Sequence, residues 1–277
     1  MKTNLSTNST ASFLLGLVFL SVCWSIFSLF KSDSALPSLQ VDYSSDIYDL
    51  PDFAAFEDTK KKKQAFFDFL YPIIEKENRF LLNIRQQLIN MKLAIETRTL
   101  SEDELNWLSE LSQEYLVDQG DAQKMLDQLL LSINSVPPSM VLAQAAIESG
   151  WGTSRFAKKG NNLFGHWCFE PGCGLVPKKR DNNKSHEVAK FKSVNESIRA
   201  YLKNLNSFHR YDDFRKLRAR TMSTNMDYND VDVFKLIPGL LAYSELGPGY
   251  LKKVSRMIRQ NKLQSFDQKF YVQTNKI

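Results

Sequence analysis

The 277-residue sequence lacks the dense basic patches that a nucleic-acid binder requires. Its 36 Lys and Arg against 31 Asp and Glu leave a formal charge of +5, which is compatible with an anionic surface such as cell wall or phospholipid and gives no reason to expect nucleic acid as a partner. Internal repeats, heptads and low-complexity tracts are also missing, so neither a solenoid nor a coiled coil is indicated. Gly160 and Gly165 have phosphate-loop spacing, but His166 stands where that loop needs lysine, so nucleotide binding is unsupported. Cysteine is scarce, with three residues. What remains is an apolar content of 43%, ordinary for a chain that buries a real core.

Charge is wholly absent from Thr3 to Phe30, and residues 11–30 are largely apolar. Twenty such residues can span a bilayer. The expectation is a single-pass anchor in the cell membrane with the rest of the chain on the periplasmic or extracytoplasmic side. The alternative is a cleaved signal with release to the periplasm. Cys168 and Cys173 lie in a Gly/Pro-rich loop, where an exported protein can oxidise them to a local disulfide. Free thiols, or zinc held with His166 and His186, are the competing readings, although that spacing fits no common zinc pattern.

Residues 31–58 carry Ser, Pro and Asp without a sustained period and read as a linker. Helical spacing follows over residues 64–98, with Pro72 expected to kink or break it. Ser101 with Glu104 makes a capping box, and Gly120-Asp121 opens a third helix. Pro137-Pro138 suits the first turn of a helix that runs to Ser149, where Gly150 lets the chain leave through a left-handed turn. Short apolar runs around the turn-forming residues 181–183 predict a β-hairpin. Ser193 and Glu196 then cap a further helix, and helical spacing recurs to Ile258.

Glu148 lies in the last turn of the helix ending at Ser149, where the dipole gives a carboxylate no support. Trp151 beside it is expected to remove water, and both effects raise a carboxyl pKa. A carboxyl held protonated near neutral pH can protonate a leaving sugar oxygen. Trp151, Phe164 and Trp167 are candidate flat faces for sugar rings. A lone Glu at a helix end is nonetheless more often structural than catalytic.

The run from Leu142 to Gly152, LAQAAIESGWG, followed by Asn161-Asn162-Leu163-Phe164-Gly165, resembles the glucosaminidase domain of glycoside hydrolase family 73. Within that family it resembles the bacterial Bax-type proteins, unrelated to the animal apoptosis factor. The resemblance covers roughly residues 137–261, including Trp167-Cys168 and the Gly172 to Pro177 piece. It implies a mainly α (α+β), lysozyme-like domain with a small β-hairpin lobe, acting on peptidoglycan glycan strands at the bond from N-acetylglucosamine to N-acetylmuramic acid. Glu148 occupies the position of the family's catalytic Glu. Tyr243 matches its loop Tyr, and Trp151, Asn162, Phe164, Gly165 and Trp167 fall in the substrate-binding blocks.

The expected organisation is an anchor or signal at 1–31, a linker at 32–59, a helical region at 60–134, the catalytic domain at 135–264 and a tail at 265–277. Neither cofactor nor metal is required. One departure matters: where flagellar-type members carry an acid on the first hairpin strand, this chain reads Pro177-Lys178-Lys179-Arg180. Glu187, facing Lys178 across the turn, is the candidate second carboxylate, with Asp181 and Glu170 behind it. Inversion, retention and assistance by the substrate's acetamido oxygen all stay open. A lytic transglycosylase and a wall-binding scaffold without activity are the alternatives, the latter using residues 64–131 to meet partners.

Overall fold

The structure is a computed structural model and describes residues 36–40, 42–178, 185–222 and 231–274. Helix α1 (Thr59–Ala94) starts where the Asp58 side chain accepts from the N–H groups of Lys60 and Lys61. It buries Phe66, Phe67, Leu70, Ile74, Leu81, Ile84, Leu88 and Met91 along one side. Pro72 does not break it. Asp68, whose carbonyl loses its N–H partner, is exposed and can bond to water, while the aromatic residues around the proline are packed. Helices α2 (Glu102–Glu114) and α3 (Ala122–Ser132) follow, the first with the full Ser101/Glu104 capping box and the second capped by Asp121. Buried Arg218 donates to the Ser132 and Asn134 carbonyls, and Arg85 to those of Leu130 and Ile133. Together they satisfy the orphan acceptors at the end of α3.

Helix α4 (Pro138–Ser149) is the centre of the structure. Ten of its twelve residues are buried, so it is apolar nearly all round rather than amphipathic. It packs against α1 and two helices from the C-terminal part, α9 (Pro248–Gln260) and α10 (Gln264–Thr274). Short helix α5 (Arg155–Gly160) leads into three small antiparallel strands, β1 (Trp167–Cys168), β2 (Gly174–Leu175) and β3 (Glu187–Ala189). Their order is β1-β3-β2, with Trp167 opposite Val188 and Leu175 opposite Val188 on the other side. The hairpin expected from the sequence thus gains a third strand. Glu187 stands opposite Cys168 rather than across from Lys178. Residues 181–183, the expected turn, lie outside the described residues. Helices α6 (Val194–Ser207), α7 (Asp212–Thr221) and α8 (Val233–Leu236) complete the order before α9.

Two boundaries differ from those read in the sequence. The stretch expected to be a linker is docked from residue 37 onward, within one compact unit of residues 37–277. Pro37 O accepts from Trp107 Nε1 at 2.9 Å, Ile47 N donates to the Asn195 side-chain Oδ1, and Ile47 O accepts from Val194 N. Asp46 and Glu77 both meet Arg199, at 2.6 and 3.0 Å. The side chains that dock this strap are isolated polar or aromatic residues, so no hydrophobic period announces it. The expected tail is the helix α10, because Phe266 and Phe270 recur at helical spacing and Phe270 and Tyr271 are buried. Among the described residues no helix is long and apolar enough to cross a membrane. The apolar residues 11–30 lie outside them.

Candidate active site

Glu148 is the penultimate residue of α4, half-buried. Burial pushes its carboxyl above the ordinary Glu value. A hydrogen bond from Tyr250 and the charge of Lys253 act the other way without cancelling the rise. The Tyr250 hydroxyl donates to Glu148 Oε1 at 2.8 Å and accepts from Gln144 Nε2 at 2.9 Å. Gln144 Oε1 in turn accepts from the Tyr201 hydroxyl. A chain of four side chains from α4, α6 and α9 therefore ends on the acid, and each donor in it points toward Glu148.

Tyr250 reads from the sequence as a core residue, and nothing local connects it to Glu148, 102 positions away. Gln144 had a visible signal: it is a polar residue one helical turn before Glu148, inside the apolar run from Met140 to Ile147. Tyr243 is stacked on Tyr250 with ring centroids 5.3 Å apart, and its hydroxyl donates to Phe164 O at 3.0 Å. It therefore belongs to the aromatic cluster around the acid, with Tyr201 at 6.3 Å and Tyr211 at 6.2 Å.

The other expected site residues separate by environment. Trp167 is 57% exposed and stacks on His186 at 4.0 Å, so it offers an aromatic surface on the sheet lobe. Phe164 is buried and stacked on Tyr201 at 4.1 Å, which leaves it no face for a sugar. Trp151 turns toward α1, edge-on to Phe66 and Phe67. Asn162 is buried, and both ends of its amide are used. Its Oδ1 accepts from Gly165 N and His166 N, while its Nδ2 donates to the His166 and Ala189 carbonyls. Asn162 thereby shapes the loop, and Gly165 at φ +73° is the exposed residue that lets the loop turn.

Cys168 and Cys173 form a disulfide with their Cα atoms 6.2 Å apart, which removes both thiols from the zinc alternative. His166 is neutral at physiological pH, because burial pushes its pKa down to about 4. Among the described residues neither of its ring nitrogens has a hydrogen-bond partner. Glu187 is buried beneath the disulfide loop, with its two oxygens accepting from Gly172 N at 3.1 Å and Gly174 N at 2.8 Å. Glu170 is exposed, and Asp181 lies outside the described residues.

The domain is thus helical with a small sheet lobe, and it carries a partly desolvated carboxyl at the end of a buried helix, held by a tyrosine. Residues 128–263 match the glucosaminidase family model, described as mannosyl-glycoprotein endo-beta-N-acetylglucosaminidase. The chain is 32% identical to Protein bax of Escherichia coli over 214 residues, 76% of this chain and 74% of that protein. It is 30% identical to exo-glucosaminidase LytG of Bacillus subtilis over 153 residues, 51% of this chain and about half of the relative's length. A solved structure, the catalytic domain of the autolysin Auto from Listeria monocytogenes, aligns at 21% identity. That alignment covers 64% of this chain and 95% of the Auto domain, with a TM-score of 0.37. The chain belongs to the glucosaminidase family.

Proposed function

We propose that this protein is a peptidoglycan hydrolase with a lysozyme-like catalytic domain that cuts the bond from N-acetylglucosamine to N-acetylmuramic acid. Glu148 is the general acid. The observation that carries this is the Glu148 carboxyl, raised by burial and fixed at 2.8 Å from the Tyr250 hydroxyl. In the first step Glu148 gives its proton to the glycosidic oxygen as the bond to the anomeric carbon breaks. The substrate's acetamido oxygen attacks that carbon from the other face. Water then opens the ring so formed, with Glu148 taking the proton back.

The reading of Glu187 that its surroundings support is structural, since both of its oxygens accept backbone N–H groups of the disulfide loop. Assistance by the substrate needs no second carboxylate. LytG is by its name an exo-glucosaminidase, and a glycosidase of wall glycan is the activity these features support in common. Residues 11–30 hold the enzyme in the membrane, with residues 37–277 on the outer side facing the wall.

The purified protein is expected to release fragments from peptidoglycan that carry a new reducing-end N-acetylglucosamine, detected by borohydride reduction and mass spectrometry. Glu148→Gln is expected to abolish release while leaving the circular dichroism spectrum unchanged. A wild type that pellets with peptidoglycan yet releases nothing would make it a wall-binding scaffold, and anhydro-muramic products would make it a transglycosylase. The first-formed product is expected to keep the β configuration, and an α product seen by proton NMR would refute acetamido assistance. Extraction of the protein from membranes by alkaline carbonate would refute the anchor.

A further inference from the structure

The turn that follows Glu148 is conformationally costly. Gly150, Trp151 and Gly152 stand at φ of +58°, +63° and +72°; the two glycines adopt such values freely, so the cost falls on the bulky Trp151 between them. Such backbone persists only where its surroundings hold it. Part of the hold is local: Ser149 Oγ donates to Ala145 O at 2.6 Å and accepts from Gly152 N at 2.7 Å. Trp151 N also donates to Ala146 O at 3.0 Å.

The rest comes from a distant part of the chain. The Trp151 ring sits edge-on to Phe66 and Phe67, at 5.7 and 5.3 Å, with Lys63 Nζ 5.1 Å from its centre. Phe53 is 1% exposed and lies so close over Gly152 that a Cβ there would come within 2.6 Å of its ring. Phe53 is set in turn by Phe66 at 5.2 Å, by the Asp52-capped turn it occupies, and by the 2.9 Å pair of Asp52 with Lys158. Phe53, Lys63, Phe66 and Phe67 all precede residues 128–263, the segment matched to the family.

We propose that Phe53 is a positioning residue for Glu148: pressed onto Gly152, it keeps the left-handed turn closed, and so keeps the last turn of α4 wound and the Glu148 carboxyl against Tyr250. The docked strap and the start of α1 are then part of the catalytic apparatus rather than a spacer. The proposal rests on the reading of Glu148 as the acid. Without the ring, the backbone from Gly150 to Gly152 can relax toward right-handed values. Glu148, two residues before Gly150, then leaves its hydrogen bond. The ring is 1% exposed and so closed off from any substrate, and its loss acts on the chemical step and not on binding.

The test uses the full chain with Phe53→Ala, Phe53→Leu and Glu148→Gln beside the wild type, assayed on soluble glycan strands well below the melting temperature of each variant. Phe53→Ala is expected to lower kcat between about tenfold and a hundredfold, the effect of misplacing a catalytic group by about an ångström, with KM nearly unchanged. Phe53→Leu keeps most of the volume and guards against an Ala variant that does not fold. It is expected to lose kcat by a smaller factor, again at constant KM. A folded Ala or Leu variant that melts earlier but keeps wild-type kcat would show a purely structural role and overturn the proposal. So would a rise in KM at constant kcat. If Glu148→Gln is as active as the wild type, the reading of Glu148 falls and the proposal with it. If Glu148→Gln is inactive and the Phe53 variants are unaffected, the proposal alone falls.

Discussion

Replacing Tyr250 with Phe removes one oxygen atom and tests the electrostatic account of the acid. The Tyr250 hydroxyl donates to Glu148 Oε1 at 2.8 Å, a bond that favours the ionised carboxylate and so holds its pKa down against burial. A hydrogen bond to a charged group contributes about 1.5–3 kcal/mol. Tyr250 is buried but Glu148 is only half-buried, so solvent screening takes part of this. Removal of the bond must therefore raise the Glu148 pKa further. A general acid works only while protonated, so the rate falls as pH rises through that pKa. The basic limb of kcat against pH is expected to move to higher pH. The substitution also leaves the buried Gln144 Nε2 without its acceptor at 2.9 Å, which costs about 1–3 kcal/mol of stability. The assay is muropeptide release between pH 4 and 10, alongside a urea melt. A limb that stays in place or moves to lower pH, in a protein that shows the stability loss, would refute the reasoning.

Three further outcomes follow from groups away from the acid. Arg199→Met leaves Asp46 and Glu77 buried without their shared cation and is expected to cost about 3–5 kcal/mol; a urea-melt loss under 1 kcal/mol would refute that account of the strap. Asp267 on α10 accepts from Ser139 N and Oγ at the start of α4, and burial pushes its pKa from 3.8 up to about 7. The folded state therefore holds a proton that the unfolded state has released between these values, so this group's contribution to stability falls as pH rises from about 4 to 7. Asp267→Asn is expected to remove a decline on the order of 3 kcal/mol between pH 5 and 8, and equal slopes for both proteins would refute it. Finally, alkylation under native conditions without reductant is expected to leave Cys168 and Cys173 unmodified, whereas labelling of both would refute the bridge.

The sequence carried those parts of the fold whose signals are local. The Ser101/Glu104 box, the prolines opening α4 and Gly150 closing it are short-range chemistry, and each lies at the terminus it predicts. The proposed acid, Glu148, was singled out by local sequence too, since a motif of eleven contiguous residues surrounds it. What depended on distant contacts was not legible. Tyr250 reaches the acid from 102 residues away, and the strap docks through scattered single side chains such as Asp46 and Phe53. Glu187 read as a surface hairpin acid because its partners, the amides of Gly172 and Gly174, become neighbours only when the disulfide loop closes over β3. Trp151 read as a sugar platform because aromatics beside a catalytic carboxyl so often are, and only its left-handed backbone turns the ring toward α1.

Several of these long-range contacts converge on α4. A helix buried nearly all round has no solvent face to fix its rotation, so the direction of Glu148 is set by what grips the helix at its ends and by its few polar side chains. Asp267 holds the first turn, Gln144 ties the middle to Tyr201 and Tyr250, and the Phe53 and Trp151 contacts close the last turn. The Asp267 and Gln144 grips are not interchangeable with apolar contacts, because packing alone tolerates small rotations that directional hydrogen bonds do not. The same burial raises the pKa of the acid. A carboxyl on an exposed helix would be easier to aim, but it would lack the desolvation that favours the protonated form a general acid needs.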